Sequence, residues 1–184
     1  MRMRVMAVTL FIAFAAASRL LPHPPNVAPI AAMALFGGAT FADTRLAVAV
    51  PLAAMFISDL FLGLHTTMPF VYGSFLMITG IGRWLRGGSG GVGQTSGSVM
   101  RLGGAAAASS ILFFVVTNFG VWATTPFYPK TAAGLWAAYL AGLPFFRNTL
   151  LGDLFYCAVL FGGFALIERL VPALRSRSLA APGR

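Results

Sequence analysis

Between Thr117 and Asp153 the chain reads TNFGVWATTPFYPKTAAGLWAAYLAGLPFFRNTLLGD, and most side chains able to bind or orient another molecule gather there. Asn118 and Trp122 stand about one turn apart at the end of an apolar run. Tyr128 lies between Pro126 and Pro129, Arg147 and Asn148 precede a second apolar run, and Asp153 lies inside it. An amide, a phenol and a guanidinium set among aromatic faces suit a flat, partly polar solute, which stacks on rings and is oriented by a few hydrogen bonds. Asn26 and Asp59 complete the set of candidate solute contacts. A carboxylate inside an apolar run is costly and faces either a cavity or a partner. Two readings of Asp59 and Asp153 therefore stay open: they touch the solute, or they neutralise Arg19 and Arg147 and fix helix packing.

Catalysis finds little support in the same residues. His23 and His65 fall in separate connections, no HExxH spacing occurs, and Ser58-Asp59 has no base beside it in sequence. The single cysteine, Cys157, excludes an internal disulfide and a multi-cysteine metal cluster, and in an apolar helix it reads as packing. No enzyme activity, metal or cofactor is expected. The enzyme alternative, Asp59, Asp153 and a histidine acting on a lipid-linked substrate, lacks the spacing it needs.

The elements that must position these residues follow from composition. Of 184 residues 58% are hydrophobic and 9% charged, against about 25% charged in a soluble domain. So much apolar surface belongs in lipid, where a spanning helix needs ~20 mainly apolar residues and satisfies its own backbone. The expectation is one all-α polytopic membrane domain over 1–184, with six spans at about 5–21, 27–41, 46–64, 68–85, 102–122 and 149–171. The second is short for a full crossing, and Pro29 offers a kink. The first run resembles a signal peptide, but it continues into SRLLPHPPN and another apolar run, and is read as a span.

Despite a net charge of +9, the basic residues are scattered singly at the ends of apolar runs, so nucleic acid is not an expected partner. They read as topological anchors. With the N-terminus inside, Arg2, Arg4, Arg45, Arg83, Arg86, Arg101, Arg169, Arg175, Arg177 and Arg184 are cytoplasmic, and only Arg19, Lys130 and Arg147 lie outside. Both termini are then cytoplasmic and the candidate residues fall in the outer half. Residues 86–100, rich in Gly and Ser, read as a flexible cytoplasmic linker. They lack the lysine and hydroxyl pair of a phosphate-binding loop. Residues 124–147 read as an outer lid loop. Within it 131–143, too short at about 20 Å to span, forms an interfacial or re-entrant helix with Thr131 as N-cap. Ala13 and Ala17 give the first span a small-residue pair that lets another helix approach.

Three stretches carry a family resemblance: RLLPHPPNVAPIAAMALFGGATF, VPLAAMFISDLFLG, and FFVVTNFGVWATTPFYPKTAAGLWAAYLAGLPFFRNTLLGDLFYCAVLFG. Together they resemble an uncharacterised bacterial family of membrane transport proteins. That family is in turn similar in fold to the S components, the substrate-binding subunits of energy-coupling factor (ECF) vitamin transporters. The resemblance implies a six-helix protein of the bacterial cytoplasmic (inner) membrane with a site near the outer surface, closed by loops 20–26 and 124–147. It also implies a first helix that docks, through Ala13 and Ala17, on an ECF coupling subunit driven by ATPases. On the orientation above that pair lies in the outer half of its span. The expected function is capture and uptake of a small vitamin-like or heterocyclic solute, with Asn118, Trp122, Tyr128, Asp59, Arg147, Asn148, Asp153 and Asn26 shaping the site. The alternative is a non-transport scaffold whose outer aromatic loop binds another membrane protein.

Overall fold

The computed structural model describes residues 2–87 and 96–174, apart from the side chains of 96–98. Among them every regular element is helical. The order is α1 (Arg2–Ser18), α2 (Ile30–Thr40), α3 (Thr44–Leu62), α4 (Met68–Gly87), α5 (Ser96–Thr124) and α6 (Ala132–Cys157). A π-helical turn (Ala158–Gly162) joins α6 without a break to α7 (Gly163–Leu170), and a 3-10 turn (Pro172–Leu174) follows. Thr44–Leu62, Val99–Thr124 and Ala132–Leu170 are each long and apolar enough to cross a membrane. Large apolar side chains such as Phe14, Phe56, Phe61, Ile111, Leu151 and Phe155 stand exposed on the surface. Around a helical bundle, that is the arrangement lipid solvates and water does not. The chain is an all-α membrane protein.

The bundle is built around α2. It has only 11 residues, about 16 Å of helix, and every residue from Ala31 to Thr40 is buried. Helices that are apolar all round belong in the interior. The small residues of IAAMALFGGAT let neighbours reach its backbone: a Cβ on Gly38 would lie 2.3 Å from the Thr79 carbonyl oxygen, and one on Gly82 would lie 2.4 Å from that of Leu35. Here α2 and α4 cross backbone against backbone. On the next face Gly37 accommodates the ring of Pro51 from α3. Phe36 fills the remaining side, packing against Phe11, Phe161 and Phe164 with ring centroids 5.1–6.1 Å apart.

A buried helix cannot leave its terminal N–H and C=O groups to water, and both ends of α2 are served by side chains from other helices. Arg83 donates to the carbonyl of Phe41 at 2.8 Å and Arg86 to that of Thr40 at 3.1 Å. At the other end the carboxyl group of Asp153 on α6 lies beside the backbone N–H of Ala32. Cations thus meet the C-terminal end of α2, the sign that the helix dipole favours there, and an acidic side chain meets its N-terminal end. Near the arginine end of the bundle, Arg4 pairs with Glu168, donates to the carbonyl of Leu174 at 2.8 Å and lies over the Phe164 ring, which ties α1 to α7.

Two segments differ from the sequence expectation. Residues 132–147 are not a lid carrying a separate interfacial helix. After a connection of 125–131 the chain enters α6 at Ala132, with Thr131 accepting from the Gly134 N–H at 3.1 Å, and α6 runs through Pro144. Pro144 does not end the helix, because long apolar helices tolerate proline where neighbouring groups or local π adjustments restore the freed bonds. The rod from Ala132 to Leu170 has 39 residues, or about 58 Å of helix, so it tilts strongly or leaves the ~30 Å hydrocarbon layer. The linker read over 86–100 is also shorter. Arg86 and Gly87 end α4 and Ser96 begins α5, while 88–95 lie outside the described residues, as do Arg175, Arg177 and Arg184.

Candidate functional site

At the end of the bundle opposite Arg4, α5 and the first half of α6 run antiparallel and diverge around a cavity of about 430 Å³. Its walls are Phe113, Phe114, Thr117, Asn118 and Val121 of α5 and Ala138, Gly142, Phe145 and Thr149 of α6, with Val71 of α4, Asn26 and Tyr128 completing the rim. The volume lies within the range of small-molecule sites. Gly142 makes room for the key polar group: a Cβ there would come 2.4 Å from Asn118 Oδ1. Asn118 Nδ2 donates to the Phe114 carbonyl at 2.8 Å. Its Oδ1 has no hydrogen-bond partner among the described residues, and neither has the Tyr128 hydroxyl. Thr117 and Thr149 donate to the carbonyls of Phe113 and Phe145, one turn back, and retain lone pairs for an acceptor role. The cavity therefore offers aromatic faces together with an amide oxygen, a phenol and two hydroxyl oxygens.

Asn26 reaches the rim with φ +63°, the left-handed region that asparagine tolerates better than most residues. The loop it belongs to is pinned from α6, because Asn148 Nδ2 donates to the carbonyl of Pro25 at 3.0 Å and Gly152 lies against Val27. Asn148 thus fastens the rim without lining the cavity. Trp122 also stands outside the lining. Its Nε1 donates to the Pro129 carbonyl at 2.9 Å, its ring lies tilted against Phe119, and Lys130 lies over it while donating to the carbonyls of Trp122 and, at 2.7 Å, Thr125. These bonds brace the 125–131 turn that carries Tyr128. Arg147 is exposed on α6 and makes no hydrogen bond or ion pair among the described residues.

Neither acid lines the cavity, and the two have different partners. Asp59 receives Arg19 Nη2 at 2.7 Å and the Tyr72 hydroxyl at 2.8 Å, while the same guanidinium also donates to Ser58 and to the Met55 carbonyl. Arg19 and Asp59 are 8% and 4% exposed, so this is a closed polar knot joining α1, α3 and α4. Asp153 is 1% exposed and pairs with no arginine; its hydrogen-bond partner is Ser110 Oγ at 2.7 Å, and the Ala32 N–H lies nearby. Pairing of Asp153 with Arg147 is thereby excluded. Of the candidates from sequence, Asn118, Tyr128 and Asn26 share the cavity, and Trp122, Asn148, Asp59, Asp153 and Arg147 lie outside its lining. Sequence reasoning passed over Thr117, Thr149 and Gly142, since only helix pairing brings them together.

Ala13 and Ala17 are exposed and line a shallow groove of about 380 Å³ between α1 and α3, with Thr9, Val50, Ala54 and Phe61. A second apolar groove of about 460 Å³ runs between α5 and the α6–α7 rod past Cys157. Among the described residues no three of His, Cys, Asp and Glu converge as a metal site.

Comparison with protein families decides the relationship. A model for a family of unknown function, DUF6580, matches residues 1–174. The chain belongs to the DUF6580 family. No curated protein and no solved structure matches it.

Proposed function

We propose that this DUF6580 protein captures a small, flat, partly polar solute in the cavity between α5 and α6 and mediates its uptake across the membrane, in the manner of an ECF S component. The observation that carries the reading is Asn118, whose Oδ1 accepts no hydrogen bond among the described residues, lining one cavity with Tyr128, Phe113, Phe114 and Phe145. An amide acceptor held in place by its own Nδ2 bond, with a phenol and aromatic walls nearby, matches a heterocycle that carries at least one N–H donor. On this reading the cavity end faces outward, both termini face the cytoplasm, the membrane is the bacterial inner one, and the α1–α3 groove at Ala13 and Ala17 is the surface for a coupling subunit.

The test is mass spectrometry of small molecules retained by gently detergent-purified protein, comparing wild type with Asn118→Ala and Gly142→Val. A heterocyclic compound present in wild type and depleted in both variants is expected. Losing one buried hydrogen bond costs about 1–3 kcal/mol, so Asn118→Ala should lower affinity roughly 5- to 150-fold. A retained compound equally abundant in all three proteins would move the site elsewhere. A stable protein partner with no retained compound would favour the scaffold reading.

A further inference from the structure

Asp153 lies between the cavity and the groove at Cys157. Thr149, one turn before it, lines the first, and Leu154 and Cys157 line the second. The groups that face it are few. From α5 comes Ser110, and the sole charged residue of that helix, Arg101, sits nine positions away, about 13 Å along the axis. From α2, which carries no titratable side chain, comes the Ala32 N–H, and from α6 itself the thiol of Cys157. No cation among the described residues lies within ion-pair distance.

The hydrogen bonds around Ser110 suit a protonated Asp153. Ser110 Oγ lies 2.7 Å from Asp153 Oδ2 and 3.1 Å from the carbonyl oxygen of Ala106. A hydroxyl has one hydrogen, so it cannot donate to both. If Asp153 is ionised, Ser110 donates to Oδ2 and its contact with the Ala106 carbonyl carries no hydrogen. If Asp153 carries a proton, Oδ2–H donates to Ser110 Oγ and Ser110 donates to Ala106, which satisfies every atom. The protonated form also leaves no unpaired charge in a site that offers no counter-ion.

We propose that Asp153 is a proton-binding site in the interior of the bundle, and that its proton sets how firmly α2 and loop 22–29 close the cavity. The proposal deepens the solute-capture reading and rests on it for what the cavity holds. The connection is short: Asp153 lies beside the N–H of Ala32 at the start of α2, and the chain just before it packs Val27 against Gly152, one residue from Asp153, and brings Asn26 to the rim. An ionised carboxylate attracts the positive end of α2; a neutral one attracts it less. Proton uptake forms one O–H bond on Oδ2, turns the Ser110 hydroxyl towards Ala106, and loosens the closure. Solute movement through this cavity would then be linked to proton movement.

Two measurements test this without any solute. Infrared titration of the purified protein is tractable because the chain has only four acidic side chains, Asp43, Asp59, Asp153 and Glu168. A protonated-carboxylic-acid carbonyl band at neutral pH is expected in wild type, absent in Asp153→Asn and shifted in Ser110→Ala, which keeps the acid but removes its partner. No such band, or one that survives Asp153→Asn, overturns the proton site. Closure is read by maleimide labelling of Thr149→Cys in a Cys157→Ala background, as a ratio to labelling at exposed Trp136→Cys to cancel thiol ionisation. The ratio should rise about tenfold from alkaline to mildly acid pH, and with Asp153→Asn added it should stay at the acid value throughout. A ratio flat with pH overturns the closure role. Neither readout depends on solute retention, so failure here is distinct from failure of the capture reading.

Discussion

Asp59 is the residue whose role the structure most changes, and its replacement gives the sharpest test of the packing. At 2.7 Å from Arg19 and at an effective dielectric of ~20, the pair attracts with about 6 kcal/mol before the cost of leaving water is counted. Removing one member leaves the other charge buried without its partner, which costs about 3–5 kcal/mol. For a chain of 184 residues each kcal/mol shifts the melting temperature by about 2–4 °C, so Asp59→Asn should lower it by roughly 10 °C. Arg19→Met should do the same, since it leaves Asp59 with Tyr72 alone. The double variant Arg19→Met/Asp59→Asn removes both charges and should recover most of the loss, giving a coupling energy above about 2 kcal/mol in a double-mutant cycle. The three tryptophans supply a fluorescence signal for melting in detergent. Below its lowered midpoint, Asp59→Asn should retain solute like wild type. A melting temperature within about 2 °C of wild type together with lost solute retention would refute the reasoning and return Asp59 to the binding site.

Two further predictions concern α2. Gly80→Ala and Gly82→Ala, two positions apart on α4, should act in opposite directions: at Gly80 nothing lies within 4 Å of an added Cβ, and alanine should gain up to about 1 kcal/mol of helix propensity. At Gly82 the Cβ meets the Leu35 carbonyl and overpacking should cost about 1–3 kcal/mol or more, so equal melting temperatures would contradict the backbone crossing. Replacing Arg83 and Arg86 together by Gln removes both cations at the C-terminal end of α2 and should cost about 1–3 kcal/mol. Thermal melting checks this, and an unchanged midpoint would show that these arginines serve only as surface charges.

Much of the helical framework was legible because an apolar run announces a membrane helix without reference to its neighbours. The ends of α3 and α4 lie within two residues of the expected spans. Thr131 could be read as an N-cap from its own residue type, and its side chain does accept from Gly134. The continuity of α6 was not legible, because local length arithmetic treats Pro144 as an end, while the helix is held by α5 alongside it. The cavity was legible in part. Asn118 and Tyr128 declare themselves as polar groups among aromatics, but Thr117 and Thr149 look like ordinary helix residues until the α5–α6 pairing sets them across one space. The acids show the limit most clearly. Asp59 and Asp153 look alike in sequence, each a lone carboxylate in an apolar run. Whether the nearest donor is a guanidinium or a serine and a helix end is decided by elements 40 or more residues away.

That difference between two similar carboxylates connects the fold to the proposed function. Asp59 is held by two side chains of high demand, a guanidinium and a phenol, and the guanidinium has further acceptors of its own. Moving it would break several bonds at once, so this knot is a fixed point that anchors α1, α3 and α4. Asp153 is held by one hydroxyl that has another acceptor available, and it lies beside one backbone N–H. Its bonds can be exchanged at little cost, because Ser110 needs only to rotate. The short α2 sits between these two kinds of contact, clamped at its C-terminal end by Arg83 and Arg86 and held at its N-terminal end by Asp153. A helix fixed at one end and held exchangeably at the other can move only at the latter. That end leads directly into Val27 and Asn26 at the rim of the cavity. The placement of charge therefore directs any opening of the bundle towards the cavity and away from the arginine end.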